Sequence, residues 1–327
     1  MRSVVMRGVG RYLPRTTVES TALESRLGLA TGWIEAHTGI RTRHVADPDE
    51  GTVMMACAAI TAAAAHAQLD PTQLDGVIYT GVSREQLIPC TAVLIAGRLG
   101  INGAACLDID ATCLSFLAGL DVAAWWIAQG RCQRIVVVAA EIASSGLDWS
   151  EPASAVLMGD CAAAVIVEPG KIPGSGFQPL RLRTYPKGST LAHHQGFGTR
   201  AIRADPQQTI DRHRFHMAGP ELFRFAARPM AALVQEYLAD LEWTPASVAA
   251  LLPHQASQHA YRAIAKLCGF APHQVRENIN AVGNCLAASL PLLLAEEELA
   301  GRLQPGQRIL LAGTAAGVSV AAMGLIR

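Results

Sequence analysis

Among the eight cysteines of the 327-residue chain, Cys113 has the setting that suits nucleophilic chemistry. It closes the strand-like segment LDIDAT (107–112) and opens the helical pattern LSFLAGLDVAAWWIAQ (114–129). A thiol at such a junction lies among N–H groups that no helical carbonyl takes up, at the positive end of a helix dipole, where the thiolate is favoured. Taken alone, an inert buried thiol fits the residue as well. A nucleophile needs partners, and His254 and Asn284 are the candidates. His254 follows the apolar run VAALLP and Asn284 lies in NAVGNCLAAS. Each on its own also fits an ordinary structural position.

The elements that would carry these residues repeat. Helical segment 52–69 leads through a Pro-containing turn into LDGVIYTGVS (74–83), and helical segment 219–241 leads likewise into VAALLPHQAS (248–257). Segments 106–141 and 276–313 both read strand, turn, helix, glycine, strand. Leu74 to Val248 is 174 positions and Cys113 to Asn284 is 171, which places Asn284 where Cys113 stands in the first copy. The expected architecture is an α/β protein with a duplicated, layered αβαβα body whose halves are related by a pseudo-twofold axis. The Pro- and Gly-rich stretch 169–180 sets the boundary, giving halves 1–170, with the cysteine, and 171–327, with the histidine and asparagine.

Composition narrows the function classes. Half the residues are hydrophobic, 17% are charged, and 27 basic residues balance 27 acidic ones. Disordered chains need more charge, and nucleic acid or an anionic membrane needs a basic footprint that is missing. No C-x-x-C pair occurs, so zinc is not expected, and reduced thiols point to the cytoplasm. The start lacks the apolar core of a signal peptide. Segment 52–69 approaches the length of a membrane span but is mostly alanine and carries His66 and Gln68, which reads as a buried helix. His193, His194, His213 and His216 lack a carboxylate or cysteine at ligand spacing, and 186–216 reads as a loop capping the cleft.

Five motifs carry a resemblance over essentially the whole chain: WIEAHTGIRTRH (33–44), the Cys113 elbow, GD-x-AAAV (159–165), HQAS (254–257) and GN-x-x-AAS (283–289). With these the chain resembles the β-ketoacyl-acyl-carrier-protein synthase III family of the thiolase superfamily. The resemblance implies that Cys113 accepts an acyl group from a thioester and that His254 and Asn284 serve decarboxylation of a malonyl thioester. It also implies an oxyanion hole from the N–H groups of Cys113 and Ala316, and no metal or bound cofactor beyond CoA or phosphopantetheine thioesters as substrates. Trp33 and Thr38 are implied at the substrate entrance, Arg224 and Arg228 on a helix that docks acyl carrier protein, and a homodimer as the assembly. Arg84 near the acyl tunnel could pair with a polar acyl donor or simply be a solvated loop residue.

The chain departs from the family at several places. Ala315–Ala316–Gly317 replaces three adjacent glycines, His37 and Pro152 stand where arginines are usual, and Pro220 replaces an asparagine. These entrance changes point to a specialised role. Two rivals share the scaffold: transfer of the acyl group to a hydroxyl, amine or other nucleophile without decarboxylation, and a non-catalytic partner subunit.

Overall fold

A computed structural model describes residues 3–147, 149, 152–194 and 215–327. In the first half, strands Ala105–Asp108, Gly76–Tyr79, Ile135–Glu141, Cys161–Pro169 and Val4–Tyr12 lie side by side in that order. Gly76–Tyr79 is parallel to both its neighbours, and the remaining pairings are antiparallel. The second half repeats this scheme. Residue Val275 bridges in parallel to Ala250–Pro253, which runs parallel to Arg308–Ala315, and antiparallel Ser319–Ile326 and Arg181–Thr184 follow. The short strand Gly176–Phe177 pairs with Val4 on one side and with Leu325 and Ile326 on the other, so hydrogen bonding runs through all ten strands.

Period-two alternation along the strands makes the layers. Val136, Val138 and Ala140 face an outer layer with helices Thr52–Ala67 and Thr91–Leu99, whereas Ile135 and Val137 face helix Ser115–Ala128. In the second half, Leu310, Ala312, Val320 and Ala322 pack on helices Gly219–Asp240 and Gln258–Leu267. Their neighbours Ile309, Leu311, Ala321 and Met323 turn inward to the same cluster as helices Ser115–Ala128 and Ser289–Leu299. Helix, sheet, helix, sheet, helix is therefore the order of layers. Leu117 and Leu120 of the central helix are buried, each contributing about 2 kcal/mol relative to an exposed position.

Alanine and glycine set the close spacing. A Cβ on Gly8 would lie 2.5 Å from the carbonyl oxygen of Ala63, so the alanine-rich helix Thr52–Ala67 rests almost on the backbone of strand Val4–Tyr12. No helix among the described residues is long and apolar enough to cross a membrane.

The repeat is registered by strained backbone. The described non-glycine residues with positive φ are Gln68, Thr112, Glu242 and Leu286, and they form two pairs, 68 with 242 and 112 with 286, each 174 apart. Four residues held in a conformation L side chains avoid, falling at one spacing, fix the alignment of the copies. This spacing corrects the sequence alignment at the elbow: Cys113 corresponds to Ala287, and Asn284 corresponds to Asp110. The sequence offset of 171 aligned cysteine with asparagine by side-chain prominence; the backbone aligns turn with turn.

Candidate active site

Cys113 lies in the single turn Thr112–Leu114, which passes directly into helix Ser115–Ala128. Two side chains hold the turn. Asp110 Oδ1 accepts from the N–H of Thr112 at 2.9 Å, and Ser115 Oγ accepts from the N–H of Ala111 at 2.8 Å. The second copy uses the same construction: Asn284 Oδ1 accepts from Leu286 N–H at 3.0 Å and Ser289 Oγ from Cys285 N–H at 3.0 Å. The turns Thr112–Leu114 and Leu286–Ala288 pack on one another, so the turn that follows Asn284 lies against the turn that carries the thiol.

The motifs GD and GN meet back to back. A Cβ on Gly159 would clash with the Val282 carbonyl, and one on Gly283 would lie 2.9 Å from the Leu157 carbonyl oxygen. With no side chains between them, Asn284 N–H donates to Leu157 O at 2.8 Å and Gly159 N–H donates to Asn284 O at 3.1 Å. Asp160 then anchors the segment from below through Ser144 and the N–H of Ala46.

His254 follows strand Ala250–Pro253, and its N–H donates to Ala312 O at 2.8 Å. Its counterpart is Thr80, whose N–H donates to Val138 O at 2.7 Å. Gly313 makes room for the imidazole: a Cβ there would lie 2.6 Å from His254 Cβ and 3.3 Å from Leu114 Cδ2, so that glycine seats the histidine beside the cysteine's turn. A small apolar cavity of about 50 Å³ lies between His254 and the outer helices, lined also by Met230, Leu251, Tyr261, Phe270 and Thr314.

Burial dominates the electrostatics. The Cys113 thiol is pushed up to about 12, first by burial and then by the nearby Glu141 carboxylate, while the N–H groups of Cys113 and Ala316 act in the opposite direction. The helix terminus therefore does not by itself deliver a thiolate, contrary to the simple expectation from the sequence. Burial also lowers His254 to about 4, so the ring is neutral near pH 7, and its Nδ1 has no hydrogen-bond partner among the described residues. A neutral thiol, a neutral imidazole and a carboxamide, with two N–H groups at the sulfur, make a site for acyl transfer by hydrogen bonding rather than by an ion pair.

Sequence and structure comparisons give this chemistry a family. Residues 107–186 match the family described as 3-oxoacyl-[acyl-carrier-protein (ACP)] synthase III, and residues 238–326 match its C-terminal region. A β-ketoacyl-[acyl-carrier-protein] synthase III of Nitratidesulfovibrio vulgaris is 33% identical over 309 residues, 94% of either chain. The chain belongs to the β-ketoacyl-[acyl-carrier-protein] synthase III family. The crystal structure of the 3-oxoacyl-[acyl-carrier-protein] synthase III of Aquifex aeolicus superposes with a TM-score of 0.90 at 30% identity, covering 99% of this chain and 100% of that one. The priming β-ketosynthase of the R1128 polyketide pathway superposes at 0.93 with 29% identity, covering 99% and 96%. The thiolase-like fold follows, and the family's reaction is a condensation that transfers acyl groups, with acyl thioesters as substrates and no bound cofactor.

Other residues expected at the family's sites occupy different kinds of position. Trp33 opens helix Trp33–Thr38 and stacks on His37, ring centroids 4.1 Å apart. Thr38 is buried; its hydroxyl donates to Ile34 O at 2.6 Å and accepts from Ile40 N–H at 3.1 Å. Those two bonds tie the hydroxyl to its own helix. Arg84 is exposed in the loop after Ser83, as a solvated residue would be. Arg224 and Arg228 lie one turn apart on the exposed side of helix Gly219–Asp240, and Arg224 is paired with Glu221 at 2.6 Å. Of the capping loop, 195–214 with His213 lies outside the described residues.

The glycine substitutions are benign. Neither Ala315 nor Ala316 has a positive φ, and the position that needs glycine is Gly317, at φ +129. Glu141 is marked in the sequence only as a lone acid ending the apolar strand IVVVAAE.

Proposed function

We propose that this protein is a decarboxylative ketosynthase that loads an acyl group from an acyl thioester onto Cys113 and condenses it with a malonyl-type thioester. The observation that carries the reading is the pair of N–H groups from Cys113 and Ala316 converging on the Cys113 sulfur beside a neutral His254. Sγ attacks the thioester carbonyl, the carbonyl oxygen takes the two N–H bonds, and the thiol leaves carrying the proton that Sγ gives up. Carbon dioxide then departs from the malonyl group. His254 and Asn284 donate to the enolate oxygen left behind, and the enolate carbon attacks the acyl-Cys113 carbonyl, returning Sγ as the leaving group.

In this reading the halves 1–170 and 171–327 supply the nucleophile and the donors respectively. Trp33 with His37 forms the entrance, and Arg228 with Arg224 meets acyl carrier protein through its acidic surface. The working form is a cytoplasmic homodimer. Likeness to a priming ketosynthase and the altered entrance support a role in specialised acyl-chain initiation. Incubation with a panel of acyl-CoAs, followed by malonyl thioester, tests it. A mass increase confined to the Cys113 peptide and subsequent release of carbon dioxide are expected; acyl transfer without carbon dioxide would overturn condensation, and no adduct with any thioester would leave a non-catalytic subunit.

A further inference from the structure

The twofold repeat implies a counterpart to the oxyanion hole. The N–H groups of Cys113 and Ala316 correspond, at the spacing of 174, to those of Ala287 and Ile142. In the second position no acyl oxygen can enter. Glu141 draws on the N–H of Ala287, and Ser83 Oγ accepts from Ile142 N–H at 3.1 Å. Ser83 Oγ in turn donates to Glu141 Oε2 at 2.7 Å, while Val82 and Ser83 N–H donate to the two carboxylate oxygens at 2.8 and 3.0 Å. Ala315, the residue aligned with Glu141, has no group to do the same at the Cys113 turn.

We infer that Glu141, with Ser83, is a permanent stopper in the duplicate anion hole and acts as a positioning residue that tunes the Cys113 thiol. Resting on the reading of Cys113 as nucleophile, the argument from geometry is direct. The stopper fixes the turn Leu286–Ala288, that turn packs on Thr112–Leu114, and the buried carboxylate places a negative charge near the sulfur. The stopper also ties down Val82 and Ser83, from which the exposed loop carrying Arg84 departs. Burial holds the Glu141 carboxyl up at about 7, against the pull of its N–H partners, so the charge it imposes changes across the neutral range. The other titratable groups around it are Tyr79, Cys113 and Cys161, with Asp160 and Cys285 next to Cys161 and Asp110 near Cys113.

Alkylation of Cys113 by iodoacetamide, read peptide by peptide across pH 6–10, tests the inference. Glu141→Gln keeps the shape and removes the charge. Its expected effect is about three- to tenfold faster Cys113 labelling at pH 8–10, where wild-type Glu141 is charged, shrinking to none at pH 6, where that carboxyl is protonated, since one pKa unit is tenfold in thiolate. Faster labelling by the same factor at every pH, pH 6 included, would mean a loosened turn and would overturn the tuning role. If Glu141→Gln does not fold, Ser83→Ala serves: losing a bond to the charged form raises the Glu141 pKa, so labelling quickens near pH 7 and converges with wild type at pH 9. Superimposable profiles in the folded variant sink the stopper's effect on Cys113. Absence of any Cys113 labelling in the wild type, by contrast, would count against the nucleophile itself.

Discussion

The turns Thr112–Leu114 and Leu286–Ala288 share a backbone and differ in what they hold. Each begins with a strained residue at φ +52 or +46, each is braced by an acidic or amide side chain two residues upstream, and each leads into a buried helix through a serine. The first carries a thiol at its second position, with the N–H of Cys113 beside it. The second carries Ala287, whose N–H goes to Glu141, and Ile142 N–H, the counterpart of Ala316 N–H, goes to Ser83 Oγ. The two copies thus share one turn construction, and the proposed function divides the chemistry between them: nucleophile from one, hydrogen-bond donors from the other. His254 and Asn284 stand where the first copy has Thr80 and Asp110.

The division is broken most severely by removing the one group with no duplicate. Cys113→Ala should abolish the acyl-enzyme and reduce product formation by about a thousandfold or more, with the fold retained, because Ala287 shows that alanine fits this turn. Intact mass after acyl-CoA exposure and product assay measure it. A Cys113→Ala protein that still acquires the acyl group would place the nucleophile elsewhere.

Next in size is the pH response of the second copy. His254 is held neutral, at about 4 against an ordinary 6.5, so it contributes stability above pH 6.5 that is lost as pH falls toward 4. The shift corresponds to about 3 kcal/mol at most. Glu141 works in the other direction: raised to about 7, it contributes most at low pH and loses that contribution as pH rises through 7. Comparing unfolding of wild type and His254→Asn at pH 7.5 and 4.5 isolates the histidine. The variant should lose less stability on acidification, and an equal loss in both would show that His254 titrates freely in the folded protein.

Residue type and position after apolar runs single out Cys113, His254 and Asn284 in the sequence, and two landmarks show the repeat. The strand-to-helix junction at Cys113 follows from local pattern, which is why it could be read. Register at the elbow could not, since it depends on which residue adopts positive φ, and neither Thr112 nor Leu286 is a residue type that advertises it. The setting of Thr38 is hidden for a similar reason: the sequence does not show that its hydroxyl bonds Ile34 O and Ile40 N–H. Burial likewise reversed the expected pKa of Cys113, because sequence shows the helix start but not the depth of the site.

Gly313→Ala probes how the copies came to differ. The aligned residue in the first half, Ala139, carries a Cβ without difficulty because Thr80 is small and is accommodated by Gly119, whose own Cβ would lie 2.5 Å from Thr80 Cγ2. In the second half the added methyl would press on the larger His254 from the strand and on Leu114 from the other side. Overpacking of this kind costs about 1–3 kcal/mol, and the imidazole must shift. Condensation should fall more than acyl loading, by about tenfold relative to it. Equal losses in the two half-reactions would mean that Gly313 does not specifically seat the histidine.

The smallest effect is expected where this chain looks most unlike its family. Ala316→Gly restores a glycine beside Gly317, yet Ala316 already has a negative φ and donates the same N–H to the sulfur. Its aligned residue Ile142 offers an N–H from a still bulkier residue, which shows that this backbone conformation tolerates a side chain. The added glycine chiefly loosens the unfolded chain and costs about 1 kcal/mol or less. Acylation of Cys113 should stay within about twofold of wild type, since the donor's position in the hole is set by backbone rather than by the methyl. A tenfold change in either direction, measured with a short and a long acyl-CoA, would show that the alanine methyl shapes the acyl site and that this turn is specialised by its side chains after all.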